Sequence, residues 1–567
     1  MSPQRDRAWT AAAVALAVVY FGVLWGTAGD VGYTRDEGYY FKAAEEYARW
    51  WGVLFSSRFF EAFSDAEIMK HFGYNTEHPP LVKLSLGATY HLLHGALGVA
   101  SPAQGFRAAG FLWGAVSVFS TYLLGRRLAG PEVGLFAAGA LALLPRYFFD
   151  AHLACFDVAI TAMWTLSLWS FHRAWTSPPG ALWRRSLVAG VIFGLALATK
   201  LNALFLPFVF VALWWVDPRD ALAPRRVRSP GGGPDFLLPP LPIPLLTCAV
   251  VGPLVFIATW PYLWHDTFKR IGKYLSFHLR HEHYPISYFH ELLVEPPFPI
   301  HFPFVMTGIT VPAPLVVLGL VGLSWAVWGA ARRRLDDALV LLATALPVAL
   351  IALPSSPIFG GVKHWYNAMP TAFIAAGVVL ISGVRGRPRS VQVAAAALVL
   401  APGLFGIAAS HPNGIGYYNA AVGGYRGGAE LGMQRGFWGG LAFPAFEALE
   451  GVPRPGRVFF NRANYDSYRM YRREALIPDH LGYANEARGV DAGLAFEQPE
   501  HGETEADIWS NLGRRPVSGT YQDGVTLTQI YIRGASDRAP GWTRCPLRSR
   551  RARAARKQAR RRRLEPR

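Results

Sequence analysis

The chain has 567 residues, 52% hydrophobic, 14% aromatic and only 17% charged, where soluble chains carry about a quarter charged. That balance suits lipid as solvent, and the long apolar runs, more than composition alone, settle the class. The formal charge of +18 does not mark a nucleic-acid binder: Arg544 to Arg567 alone holds twelve Lys/Arg against one acidic residue, Glu565, and the remaining body is mildly basic. The three cysteines, Cys155, Cys248 and Cys545, are widely separated and have no metal-ligand or disulfide-set spacing.

A helix needs about 20 apolar residues to cross a hydrocarbon core roughly 30 Å thick. Eleven apolar runs are read, at approximately residues 10–28, 106–123, 132–147, 153–171, 186–199, 201–216, 241–259, 304–328, 338–353, 368–383 and 391–409. The first is longer than a signal-peptide core, lacks a clear cleavage site and is followed by further spans, so it is kept as a helix. With the N-terminus inside, the internal connections hold seventeen Arg residues, among them Arg126, Arg127, Arg184, Arg185, Arg332 to Arg334, Arg385 and Arg387. The short external ones hold only Arg146, Lys200 and Lys363. This asymmetry predicts a multi-pass protein of the cell (inner) membrane with a cytoplasmic N-terminus.

The expected domains follow from that topology. Residues 1–409 form the transmembrane domain, with external loops at 29–104 and 260–303. Residues 410–535 form an external, periplasmic or extracellular C-terminal domain, and 536–567 a basic, disordered tail. Strand-like stretches at Arg457 to Phe460 and Thr526 to Arg533, separated by Gly/Pro-rich breaks, predict a small α/β or α+β fold there. The stretch from Asp217 to Asp235 reads as a solvated linker.

The first external loop opens with Tyr33, Thr34, Arg35, Asp36 and Glu37. Two adjacent carboxylates at the interface can abstract a proton from a group whose lipid tail stays in the bilayer. Asp36 reads equally as the cap of a helix running to about Trp51. The loop closes with Glu77, His78, Pro79, Pro80, Leu81, Val82 and Lys83, where the prolines fix an extended path and the cationic groups suit a phosphate. Asp157 and Lys200 are costly charges in or beside apolar runs and are functional candidates for that reason.

These motifs, in this order, resemble the C-type (GT-C) glycosyltransferase fold. More specifically they resemble glycosyltransferase family 39, which contains protein O-mannosyltransferases and lipid A aminoarabinose transferases. The likeness is carried by the Asp36-Glu37 pair, the HPPL-x-K segment from His78, Asp157 in HLACFDVAITAMW, GLALATKLNALFLP from Gly194, and WPYLWHDTFKRIGKYLSFHLRH from Trp260. It implies an inverting sugar transfer from a polyprenyl-phosphate donor at the external face. Asp36 would be the general base, with Glu37 and Asp157 in the catalytic carboxylate cluster. Glu77, His78 and Lys83 would bind substrate, and His78 and Lys83 would neutralise the departing phosphate. Arg270, His281, Lys363 and His364 are the further substrate-binding candidates.

Val82 stands where the mannosyltransferase motif often has Gly, and the loop at 260–303 has no room for the β-trefoil of eukaryotic members. The acceptor therefore stays open among glycolipid, polysaccharide and protein. No cofactor is assigned beyond the donor lipid itself; a divalent cation is compatible, but His278, His281, Glu282 and His283 match no metal signature. The expected partners are the lipid bilayer, the lipid-linked sugar and the acceptor. A transporter or flippase for lipid-linked sugars is the rival reading; repeated halves and midplane charges, its usual marks, are not seen.

Overall fold

A computed structural model describes residues 3–217, 225–227, 236–238, 242–437, 440, 442–461, 463–535 and 541–544. Most of the expected linker between Asp217 and Asp235, and the tail from residue 545 with Cys545, lie outside the described residues.

The helices of the first half are α1 (Pro3–Thr27), α2 (Arg35–Leu54), α3 (Asp65–Phe72), α4 (Leu81–Thr89), α5 (Pro102–Ala129), α6 (Pro131–Ala142), α7 (Pro145–Asp150), α8 (Phe156–Trp175), α9 (Pro179–Leu197) and α10 (Leu206–Val216). There follow α11 (Ile243–Thr259), α12 (Thr267–Leu279), α13 (Phe302–Thr310), α14 (Ala313–Ala331), α15 (Leu335–Ala352), α16 (Met369–Gly383) and α17 (Arg389–Ser410). Every expected apolar run is helical. Seven helices among the described residues are long and apolar enough to cross a membrane, and three apolar ones are shorter. The runs at 132–147 and 304–328 are each split in two. Pro145 stands at the first position of the new helix in one, and Pro312 caps the new helix in the other, places where a missing backbone donor costs nothing; Pro253, Pro347 and Pro402 by contrast lie inside continuous helices.

Small residues let the helices approach closely, as between α5 and α6. A Cβ on Gly134 would lie 2.6 Å from the Tyr122 carbonyl oxygen, so any larger residue would push these helices apart. Polar pairs tie the bundle at the end opposite the loops: Arg126 to Asp6 at 2.6 Å, His172 to Asp336 at 2.7 Å, and the Trp175 indole to Asp217 at 2.6 Å.

At the other end, helix α2 begins within the first loop. Thr34, and not Asp36, caps it: the Thr34 hydroxyl accepts from the Glu37 amide and the Glu37 carboxylate accepts from the Thr34 amide at 3.0 Å. Glu37 is fully buried, and its oxygens also accept from Arg107 of α5 at 2.7 and 2.8 Å and from the Ala154 amide at 3.0 Å. Arg107 spends its remaining donors on the carbonyls of Ala28, Val31 and Gly32. One ion pair therefore joins α1, α2, α5 and the turn before α8.

The C-terminal region adds α18 (Gly424–Glu430), α19 (Tyr465–Arg473) and α20 (Gly502–Leu512) to a mixed sheet. Its strands, in spatial order, are Gly541–Arg544, Ser518–Gln522, Val525–Ile532, Ala492–Phe496, Gly456–Phe460 and Leu481–Ala484. The two stretches expected to be strands are strands, and the sheet extends to Arg544, past residue 535. α19 connects the parallel strands Gly456–Phe460 and Leu481–Ala484 and packs on α2.

Removing one partner of a buried ion pair leaves the other charge uncompensated, at a cost of about 3–5 kcal/mol. Glu37→Gln should therefore lower the thermal unfolding temperature in detergent by several degrees. An unchanged Tm would show that this pair does not hold the loop to the bundle.

Candidate active site

A cavity of about 940 Å³ opens where the loop end of the bundle meets the C-terminal domain. Its wall brings together Asp36 from α2, Glu77 and His78 from the end of the first loop, Asp157 from α8, Lys200 after α9, His281 after α12, and Lys363 and His364 before α16. Three of the expected site residues do not line it. Glu37 is turned into the bundle toward Arg107. Arg270 is buried against Asp65 and the Tyr262 carbonyl, at 2.5 and 2.8 Å. Lys83 is buried beneath the loop, its ammonium donating to the carbonyls of Asn75 and His78 at 2.6 and 2.7 Å.

Four charges form a continuous row. Lys200 Nζ lies 2.6 Å from Asp157 Oδ1, and Lys363 Nζ lies 3.8 Å from Asp157 Oδ2 and 3.4 Å from Asp36 Oδ2. The two carboxylates differ in access: the side chain of Asp157 is 7% exposed and that of Asp36 28%. Asp157 is thus enclosed between two ammonium groups, whereas Asp36 presents an edge to the cavity. Phe205, Phe208, Pro347, Leu350 and Ile351 continue the wall as an apolar surface between α10 and α15. Phe208, 64% exposed, carries that surface to the outside of the bundle.

The histidines have mixed environments. His78 stacks on Phe156 with ring centroids 4.8 Å apart, and burial, with help from nearby His278 and Lys83, holds its pKa well below the ordinary imidazole value. That shift favours the neutral imidazole over the cationic role expected of it. Burial likewise pushes Lys83 down to about 7, against the opposing charge of Glu77. His278 Nε2 lies 2.8 Å from the Glu77 carbonyl oxygen, which helps to fix the loop. His281 stacks on Phe359. Among the described residues no group of three or more His, Cys, Asp or Glu side chains is placed to hold a metal ion.

Several wall residues carry no motif. Arg35 lies over the Tyr284 ring at 5.5 Å, and Gln434, Gln498 and Glu500 of the C-terminal region close the cavity on the far side. Arg35 could have been noticed beside Asp36, and Gln434 lies in the Gly- and aromatic-rich sequence from His411 to Gly440, which reads as a platform for an acceptor; Gln498 and Glu500 lie in a part of the sequence with no pattern to single them out. Arg107, which holds Glu37, sits at the start of an apolar run, and its burial cost was the available signal.

His278 is held at about 4, chiefly by burial, below the ordinary value near 6.5. The unfolded chain takes up a proton between those values that the folded chain refuses. Stability is therefore full above about pH 6.5 and declines as pH falls toward 4. In thermal unfolding between about pH 7.5 and 5, Tm should fall, and His278→Gln should make that fall shallower. An identical slope in the variant would remove His278 from the account.

Residues 77–225 match the family model described as dolichyl-phosphate-mannose-protein mannosyltransferase. No curated protein matches the chain. Among solved structures, ArnT from Cupriavidus metallidurans bound to undecaprenyl phosphate is similar at 16% identity, over 93% of this chain and 99% of that one, with a TM-score of 0.48. The oligosaccharyltransferase AglB from Archaeoglobus fulgidus, in complex with an inhibitory peptide and a dolichol-phosphate, is similar at 12% identity, over 90% and 72% of the two chains, with a TM-score of 0.49. Over residues 77–225, which include Glu77, His78, Asp157 and Lys200 but neither Asp36 nor Lys363, the chain resembles the dolichyl-phosphate-mannose-protein mannosyltransferases.

Proposed function

We propose that this chain is a membrane-embedded glycosyltransferase that moves a sugar from a polyprenyl-phosphate donor to an acceptor at the external face of the membrane. The observation that carries the reading is the row Asp36, Lys363, Asp157, Lys200 beside an apolar surface that leads out of the bundle. A lipid-linked sugar needs both parts: a greasy path for its tail and fixed cations for its phosphate. The match of residues 77–225 to mannosyltransferases agrees with it.

In this reading the donor phosphate meets Lys200 and Lys363, in place of the expected His78 and Lys83. The acceptor hydroxyl loses its proton to an Asp36 oxygen as its own oxygen attacks C1 of the sugar from the face opposite the phosphate. The C1–O bond breaks and the electron pair leaves on the phosphate, where the two ammonium groups stabilise the added charge. Inversion at C1 follows from that in-line geometry. Asp36 is preferred to Asp157 as base on physical grounds. A carboxylate held between two ammonium groups is a weak base, and the more exposed Asp36 can be reached by an acceptor. Asp157 instead holds Lys200 and Lys363 in register. Glycolipid, polysaccharide and protein hydroxyls all satisfy this chemistry.

General-base catalysis contributes about 10²–10⁴-fold. Asp36→Asn, reconstituted with polyprenyl-phosphate mannose and membrane extract as acceptor source, should lose transfer by about that factor while binding bare polyprenyl phosphate normally. Replacing Lys200 and Lys363 together by Ala should weaken that binding. Undiminished transfer by Asp36→Asn would sink the assignment of the base.

A further inference from the structure

Asp36 projects into the cavity from a short stretch of chain held on two sides. On the bundle side the neighbouring Glu37 is locked to Arg107 and to the Ala154 amide. On the other side stands α19 of the C-terminal domain. Tyr471 Oη accepts from the Tyr33 amide at 2.5 Å. Ser467 Oγ donates to the Thr34 carbonyl at 2.8 Å, and Asn464 Nδ2 donates to the Arg35 carbonyl at 2.8 Å.

The fit is close enough to require glycine. A Cβ on Gly38 would lie 2.1 Å from Asn464 Oδ1 and 2.5 Å from Ser467 Oγ. Within α2 the bond from the Gly38 amide to the Thr34 carbonyl is long, at 3.4 Å, so Ser467 supplies that carbonyl with its shorter partner. Farther along α2, Glu45 accepts from Arg473 at 2.6 Å and from Arg469 at 3.2 Å. Residues on both sides of Asp36 are thus pinned, and its side chain alone is left to the cavity.

We infer that α19 is a positioning element for the transfer reaction, with Asn464 and Ser467 as the positioning residues that set Asp36 relative to Lys363. This rests on the reading of Asp36 as the base. The C-terminal domain then completes the active site through backbone contacts, in addition to closing the cavity wall. A displacement of about 1 Å at a reacting group costs up to about 100-fold in rate, so loosening two hydrogen bonds to the turn reaches the chemistry without touching substrate.

The test is the double variant Asn464→Ser/Ser467→Ala. Serine is as good a helix cap as asparagine, so α19 keeps its start while the donors to the Thr34 and Arg35 carbonyls are lost and no charge changes. In the polyprenyl-phosphate mannose assay, kcat should fall about 10-fold or more, with KM for the donor within about twofold and Tm lowered by no more than a few degrees. Normal kcat overturns the inference, as does a raised KM at normal kcat, or a loss of activity that only tracks loss of folded protein. Asp36→Asn is measured alongside: if it turns over normally, the base assignment fails. If it is inactive and the double variant is normal, the positioning inference alone fails.

Discussion

The site depends on a single buried ion pair. Glu37 and Arg107 are both inaccessible to solvent, and such a pair is weak evidence for stability in itself, because desolvating two charges offsets most of their attraction. Its value here is geometric. Groups from three segments converge on it, so the entrance to α2, the carbonyls after α1 and the turn before α8 share one frame. Asp36 precedes Glu37 by one residue and Asp157 follows Ala154 by three. Their separation is fixed by this pair before Lys363 or any ligand is considered.

With that frame in place, the division of labour among the charges follows from burial. Glu37, one half of the frame, is sealed away from the cavity. Asp157 is enclosed by Lys200 and Lys363, and Asp36 is left with an open edge. The same logic sorts the cations. Lys83 and His78 belong to the most suggestive motif in the chain, yet one supports the loop from below and the other stacks on an aromatic ring. The ammonium groups that face the cavity come from two turns at helix ends far apart in sequence.

Much of this was legible in the sequence, and the reasons for success and failure are physical. Apolar runs marked helices because lipid imposes length and composition directly, and seven of the described helices are long and apolar enough to cross a membrane; strand-length apolar or alternating stretches marked the strands at 456–460 and 525–532. What was not legible was facing. Asp36 and Glu37 are neighbours of the same type, and only the helical turn that Thr34 starts sends one to the cavity and the other to Arg107. Arg270 was expected to bind substrate, but Asp65, some two hundred positions earlier, pairs with it. Helix splitting at Pro145 and Pro312 was not legible from proline alone, since Pro253, Pro347 and Pro402 sit inside continuous helices.

The central claim is that the row of four charges receives a lipid-linked phosphate. An experimental structure of the protein in lipid nanodiscs with bare polyprenyl phosphate tests it most directly. The account predicts phosphate oxygens within hydrogen-bond distance of Lys200 and Lys363, with the first isoprene units against Phe205, Phe208 and Leu350. A phosphate bound outside this cavity, or a lipid tail that leaves the bundle by another path, would contradict it.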